Sequence, residues 1–174
     1  MTGVLMADRD EVHDLDALYA ASYRRLVVQM YAICGDRADA EDAVQEAFIT
    51  ALRKRRTLRS VQNPEAWIRT VALRRLHGGW RHRAVVRRHQ AALSPDTGPG
   101  AGEVGPDHVV LVAALARLDR GQREVVVLHH LADLSVDEIA EQLEIPVGTV
   151  KSRLGRGRQR LAELLAEKEE PSHG

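Results

Sequence analysis

The chain has 174 residues and a mass of 19.3 kDa, 44% of them hydrophobic, 29% charged and only 3% aromatic, with 25 basic side chains balancing 25 acidic ones. That length holds one domain or two small ones with real cores, and a composition led by Ala, Leu, Arg and Glu points to helix almost throughout, with little strand character. The single cysteine, Cys34, excludes an internal disulfide and a thiolate metal site, and the zero net charge conceals a strong asymmetry: residues 1–50 carry 4 basic and 10 acidic side chains, residues 51–90 carry 12 and 1, and residues 91–174 carry 9 and 14.

The opening MTGVLMADRDEV turns acidic too early for a signal peptide, and no segment reaches the roughly 18 uninterrupted apolar residues of a membrane span, so the expected location is cytoplasmic. Leu15, Leu18, Tyr19, Ser22, Leu26, Met30 and Ile33 recur at three- and four-residue steps and predict an amphipathic helix closed by Gly35. The apolar setting of Cys34 predicts a buried thiol. A second helix is expected to start at Asp39 as N-cap with Asp42 in its first turn. Ala43, Val44, Ala47, Phe48, Ala51 and Leu52 form its inward stripe, and Glu41, Asp42, Gln45 and Glu46 its other side. TLRSVQNP then reads as a basic loop. Asn63 as N-cap, Pro64 at the first helical position and Glu65 start a third helix running to about His89, with Trp67 mainly in the core and a possible kink at Gly78-Gly79.

Gly and Pro crowd the stretch ALSPDTGPGAGEVGP, a flexible linker over residues 91–106 between two helical domains, 10–90 and 107–168. Beyond it, HVVLVAALARL and QREVVVLHHLA predict two helices, and LSVDEIAEQLEIP predicts a short one with a capping box of Ser135 and Glu138. A tight turn at Glu144-Ile145-Pro146 and a further helix complete the outline of a helix-turn-helix. The fold class is thus all-α: two small helical domains on a Gly/Pro linker, the second with a helix-turn-helix.

In the last helix Lys151, Arg153, Arg156, Arg158 and Arg160 are five positive charges without an acid between Ile145 and Leu161. Val150, Leu154, Leu161 and Leu165 share one side, expected to face inward, leaving Lys151, Ser152, Gly155, Arg156 and Gln159 outward. Such a face suits a major groove: Lys and Arg pair with guanine O6 and N7, Ser and Gln reach base edges or phosphates, and Thr149 near the helix start can hold a phosphate. Gly155 and Gly157 each weaken a helix by about 0.8–1 kcal/mol relative to Ala. In the third helix Arg69, Arg74, Arg75, Arg81 and Arg83 make a surface for tracking a nucleic-acid backbone, and Trp80 can stack on a base.

The order of DAEDAVQEAFITAL (Asp39 to Leu52), PEAWIRTVALRRLHGGWRHR (Pro64 to Arg83), a Gly/Pro linker and LDRGQREVVVLHHLADLSVDEIAEQLEIPVGTVKSRLGRGRQRL (Leu118 to Leu161) resembles extracytoplasmic-function sigma factors of bacterial RNA polymerase, in particular an actinobacterial SigE-like branch. The resemblance covers residues 12–165. It implies that the second helix, through Glu41, Asp42, Gln45 and Glu46, meets the β′ clamp helices of core RNA polymerase, and that the second domain meets the β flap. It implies further that the third helix and the loop before it, Asn63 included, open and read the promoter −10 element, an unpaired base entering a pocket formed partly by residues 57–66. Contacts to the −35 element map onto Lys151, Ser152 and Arg156, and Thr149, Arg153 and Gln159 complete the set expected to meet −35 DNA. Departures from the family pattern are Arg74, where many members carry Asn, Gly78, where many carry a larger residue, and Gly155, where some carry an aromatic. Relatives are often held inactive by an anti-sigma factor.

Two other readings compete on residues alone. A stand-alone helix-turn-helix regulator normally pairs half-sites as a dimer, and no spare apolar helix or heptad seam offers the interface. A helical nuclease would place a metal on Asp39, Glu41, Asp42 and Glu46, but no Glu-x-x-His or His-x-x-x-His pair supports them and acids near a helix start follow from the macrodipole. His129-His130, adjacent on one helix and expected to diverge in direction, is no ligand set. No metal, cofactor or enzymatic activity is expected.

Overall fold

The helix ends at Gly35, Asp36, Asn63, Ser135 and Glu144 fall where a short polar side chain or a left-handed residue satisfies orphan amides and carbonyls. The computed structural model describes the backbone of residues 3–89 and 106–169 and the side chains of residues 14–80 and 110–166, and every described element is a helix. The described residues fall into two compact units, one of residues 3–30 with 36–89 and one of residues 31–35 with 106–169. The linker expected at 91–106 lies outside the described residues except for Pro106.

α1 (Gly3–Cys34), which belongs to the first unit up to Met30, ends as predicted at Gly35, whose φ of +75° is the left-handed conformation only glycine adopts without strain, its N–H donating to the Tyr31 carbonyl at 2.7 Å. Cys34 is half-buried rather than buried. α2 (Arg37–Arg53) is capped three residues earlier than expected: Asp36, not Asp39, is the N-cap, its Oδ1 accepting from the Asp39 N–H at 2.8 Å. Both aspartates have the right chemistry; the chain reverses directly after Gly35, so the earlier one meets the first free amides.

The segment expected as a basic loop instead carries a short helix, α3 (Arg55–Ser60), which shortens the connection to residues 61–63. It has no buried residue, so no apolar period announces it. α4 (Pro64–His89) opens as predicted, with Asn63 Oδ1 accepting from the Ala66 N–H at 3.0 Å, and it stays helical through Gly78-Gly79 to His89. α2 packs chiefly on α4. Its alanines 40, 43, 47 and 51 are at most 1% exposed and allow close approach to Ile68, Ala72, Leu73 and Leu76. Leu52, expected inward, is 43% exposed and Tyr19 42% exposed.

The second unit holds α5 (Pro106–Ala116), α6 (Arg120–His130), α7 (Val136–Leu143) and α8 (Val147–Glu169). α6 is its centre: Val125, Val126, Val127 and Leu128 are all buried, and α8 and α7 pack on it. Arg123 Nη2 donates to the Ala116 and Leu118 carbonyls at 2.6 and 3.2 Å, satisfying the end of α5.

Gly157, read from sequence as a weak point of α8, is buried. A Cβ there would lie 2.7 Å from Val126 Cγ2 and 3.4 Å from Gln122 Cβ, so the missing side chain is what lets α8 lie this close to α6. The inward stripe of α8 is therefore Val150, Leu154, Gly157 and Leu164; Leu164 is 2% exposed, whereas Leu161 and Leu165, expected inward, are half-buried.

Candidate nucleic-acid interface

α7 begins with the predicted capping box: Ser135 Oγ accepts from the Glu138 N–H at 3.2 Å, and the Ser135 N–H donates to Glu138 Oε2 at 2.7 Å. It ends on Glu144 in the left-handed conformation (φ 55°, ψ 44°), and the Ile145 N–H closes the turn on the Ala140 carbonyl at 3.1 Å. A non-glycine residue in this conformation is uncommon and is held by the bonds around it. The Pro146 carbonyl then accepts from the Thr149 and Val150 N–H groups at 2.9 and 3.1 Å, starting α8. Ile139 and Val150, both fully buried, lock the two helices at this corner.

On α8, Lys151, Ser152, Gly155, Arg156 and Gln159 are exposed together and Thr149 is half-buried beside them. Arg156 lies back along its own helix, with Nε 3.3 Å from the Ser152 carbonyl and Nη2 3.4 Å from Ser152 Oγ, while Ser152 Oγ donates to the Thr149 carbonyl at 3.1 Å. These three residues thus form one polar run that a base edge or phosphate can take over. Gln159 Nε2 reaches Glu163 Oε1 at 3.5 Å.

Arg153, grouped with the DNA-reading residues from sequence, is half-buried; its guanidinium lies over Gly121 in the first turn of α6, 3.0 Å from where a Cβ would stand. It is removed from the outward face because position 153 lies three residues after Val150 and four before Gly157, both buried, and so borders the inward stripe. Arg158 also turns to α6, its Nε donating to His130 Nε2 at 3.1 Å, which requires a neutral imidazole. His130 is exposed, yet partial desolvation, then the charges of Arg158 and His129, holds its pKa below the ordinary value. The His129 and His130 rings do not diverge: they meet edge to face at 4.9 Å, and His129 Nδ1 donates to the Leu134 carbonyl at 2.9 Å.

In the first unit the basic surface is organised around a cavity of about 930 Å³ between the end of α2, the start of α3 and one face of α4. Arg53, Lys54, Arg55, Arg56 and Arg74 surround it, Thr50, Thr57 and Thr70 supply hydroxyls, and Trp67 with Val71 forms an apolar wall. Trp67, assigned mainly to the core from sequence, is half-buried and faces this cavity. Cations with a half-open indole suit an unstacked nucleotide. Arg53, Lys54, Arg55 and Arg56 fall between the inward stripe of the second helix and the TLRSVQNP stretch, outside the expected site residues; the high basic count of residues 51–90 is the signal that marks them.

Arg74 and Arg75 are exposed, and Trp80 is half-buried with its ring 5.4 Å from His77. The side chains of Arg81 and Arg83 lie outside the described residues. Asn63 is exposed but spends its carbonyl on the α4 cap. Arg69 corrects the sequence reading: it is 4% exposed, its Nε donates to Gln29 Oε1 and its Nη2 to Glu65 Oε1, both at 2.9 Å, so it is an interior group and not part of a DNA-facing surface. Charge alone does not distinguish a surface arginine from one whose fork is filled inside.

The outward face of α2 has two halves. Asp42, Gln45 and Glu46 are exposed at the N-terminal end and Glu41 is half-buried in a pair with Arg37 at 2.8 Å. Ile49 and Leu52, 39% and 43% exposed, continue the same face. Tyr23 stacks on Tyr19 with centroids 4.6 Å apart, Phe48 meets Tyr19 edge-on at 4.9 Å, and Gln45 Nε2 reaches the Tyr23 hydroxyl at 3.4 Å. Among the described residues no group of three or more His, Cys, Asp or Glu could hold a metal ion, and no helix is long and apolar enough to cross a membrane.

A helix-turn-helix with an acid-free outer face in one unit, and a cation-lined cavity beside a tryptophan in the other, define a two-module DNA-binding protein. Residues 18–85 match sigma-70 region 2 and residues 108–161 match sigma-70 region 4. The chain is 32% identical over 172 residues to the extracytoplasmic-function RNA polymerase sigma factor SigE of Mycolicibacterium smegmatis, spanning 91% of this chain and 64% of that protein. It is 32% identical over 130 residues to the RNA polymerase sigma-E factor of Streptomyces coelicolor, spanning 75% of this chain and 73% of that one. The fold is similar to sigma factor RpoE, solved with the anti-sigma factor NepR from Bartonella quintana (TM-score 0.72, 24% identity, 91% of this chain and 99% of that one). It is also similar to CnrH in complex with the cytosolic domain of CnrY (TM-score 0.61, 24% identity, 88% of each). The chain belongs to the sigma-70 family, in its extracytoplasmic-function class.

Proposed function

We propose that this protein directs promoter-specific initiation by core RNA polymerase in the cytoplasm, supplying the address while the polymerase supplies the chemistry. Residues 107–168 read duplex −35 DNA through Thr149, Lys151, Ser152, Arg156 and Gln159. Residues 10–90 take melted −10 DNA on Arg74, Arg75 and Trp80, with the cavity at Trp67 receiving an unpaired nucleotide, and residues 91–106 tether the two. Glu41, Asp42, Gln45 and Glu46, extended by Ile49, form the side that meets the polymerase clamp helices. Core polymerase and promoter DNA are thus the partners, with an anti-sigma factor as a candidate regulator.

The observation carrying this reading is the joint match of sigma-70 regions 2 and 4 in one chain, the second falling on the α7–α8 corner and its basic outer face. Co-purification with bacterial core polymerase tests it, followed by run-off transcription on a library randomised in both upstream elements. The expected result is a stable complex and one enriched pair of hexamers; failure to associate, or transcription indifferent to upstream sequence, refutes it.

A further inference from the structure

The interior of the first unit holds a polar cluster that its apolar packing does not require. On α1, Arg25 and Gln29 stand one turn apart; on α4, Glu65 and Arg69 do the same. Arg25 Nε donates to Glu65 Oε1 at 3.2 Å and its Nη2 pairs with Glu65 Oε2, while Arg69 links Glu65 Oε1 and Gln29 Oε1 at 2.9 Å each. Gln29 is 1% exposed, the Arg69 side chain 5% and the Glu65 side chain 21%, while Arg25 closes the cluster from the rim with its side chain 54% exposed. Burying such groups costs more than burying hydrocarbon of equal volume, so net stability is a poor reason for their presence; conformational specificity is a better one. The surroundings are suited to that role. The buried face of α2 is mostly alanine, with Val44 and Phe48 as its larger side chains, so the directional bonds between α1 and α4 add a constraint on register to that of apolar packing. The clasp has one complete solution, because a slip of one turn, 5.4 Å in an α-helix, parts both links that cross from α4 to α1, Arg25–Glu65 and Arg69–Gln29, and leaves only the Arg69–Glu65 pair within α4.

The same helix carries Trp67, Thr70, Val71 and Arg74 on the cavity side, and Glu65 lies two residues after the Asn63 cap. Resting on the reading of α4 as the −10 segment, we infer that the Arg25–Glu65–Arg69–Gln29 clasp sets the register of α4 along α1 and thereby determines −10 selectivity, Glu65 and Arg69 acting as positioning residues that never touch DNA. The clasp acts through Trp67 and Arg74, whose heights relative to the α2–α3 cations it fixes.

The test separates register from stability. The full chain carrying Gln29→Leu with Arg69→Met replaces the innermost pair by hydrocarbon of similar volume. It is expected to bind core polymerase within about twofold of wild type and to keep or raise the thermal midpoint. In the run-off library, however, its enrichment of the preferred −10 hexamer falls by about fivefold or more, the scale of one lost base-discriminating contact, while −35 enrichment is unchanged. Glu65→Gln, which keeps shape and removes charge, is expected to shift −10 enrichment in the same direction and carries the test should the double variant not fold. Wild-type −10 enrichment in a folded variant, or a loss matched by equal losses of polymerase binding and −35 enrichment, overturns the inference. Absence of any −10 enrichment with the wild-type protein overturns the functional reading itself, and the inference with it.

Discussion

Gly155 and Gly157 stand two residues apart in α8, and replacing each with alanine is expected to move the stability of the second unit in opposite directions. The helix-propensity gain is the same at both sites, about 0.8–1 kcal/mol. At Gly155 nothing lies within 4 Å of the new Cβ, so Gly155→Ala shows that gain undiminished. At Gly157 the Cβ arrives 2.7 Å from Val126 Cγ2. Val126 is 3% exposed and β-branched, so it cannot rotate away without leaving its preferred rotamer. Overpacking of this kind costs about 1–3 kcal/mol. Because the propensity contribution cancels between the two variants, their separation is the steric cost itself. A separation of 1 kcal/mol corresponds to roughly 4–8 °C in a domain of this size. Native-state hydrogen exchange at the α6 and α8 amides of the full chain reports the second unit directly, without interference from the first. The double variant Gly157→Ala with Val126→Ala should recover part of the loss beyond additivity, as contacting sites do. If Gly157→Ala protects α8 as well as Gly155→Ala does, the close-approach account of α8 packing is wrong.

Four further outcomes follow from named contacts. Arg156→Ala removes the exposed fork resting on Ser152 and should lower −35 discrimination by roughly 1–3 kcal/mol, read as the ratio of run-off product on matched and scrambled −35 templates. Asp42→Ala combined with Gln45→Ala should weaken association with core polymerase in a pull-down while leaving the thermal midpoint within a few degrees, since both side chains are exposed. Ser135→Ala breaks the capping box and should destabilise the second unit by about 1 kcal/mol, measured by denaturant unfolding. For His130, the folded-state pKa lies below its ordinary value of 6.5, so the unfolded chain takes up the proton first. The stability contributed by the neutral ring accepting from Arg158 is complete above about pH 6.5 and is lost as pH falls through the folded-state value. His130→Gln, which keeps an acceptor for Arg158, should flatten the decline of the thermal midpoint between pH 7.5 and 5, and an unchanged slope would show that another group titrates.

Local chemistry specified much of this molecule. The stops and starts at Gly35, Asn63 and Ser135, the helix-turn-helix corner and the outward set Lys151, Ser152, Arg156 and Gln159 are legible along the chain, because a cap bonds within three or four residues and a helical face repeats every 3.6. The α2 start differs from the expected one by one aspartate for the same reason: Asp36 and Asp39 are equally good caps until the turn at Gly35 chooses between them. What the chain alone left open was the identity of each face's neighbour. Arg69 and Arg153 carry the same charge as Arg74 and Arg156, yet one fills an interior clasp and another lies against α6 at Gly121. Gly157 looks like a defect until Val126 stands 2.7 Å from its missing Cβ, and Trp67 looks like core until the α2–α3 cations surround an open side. Periodicity gives the direction of a side chain from its own helix axis; only packing brings in the second helix that decides whether that direction ends in solvent, in hydrocarbon or on a partner's carboxylate.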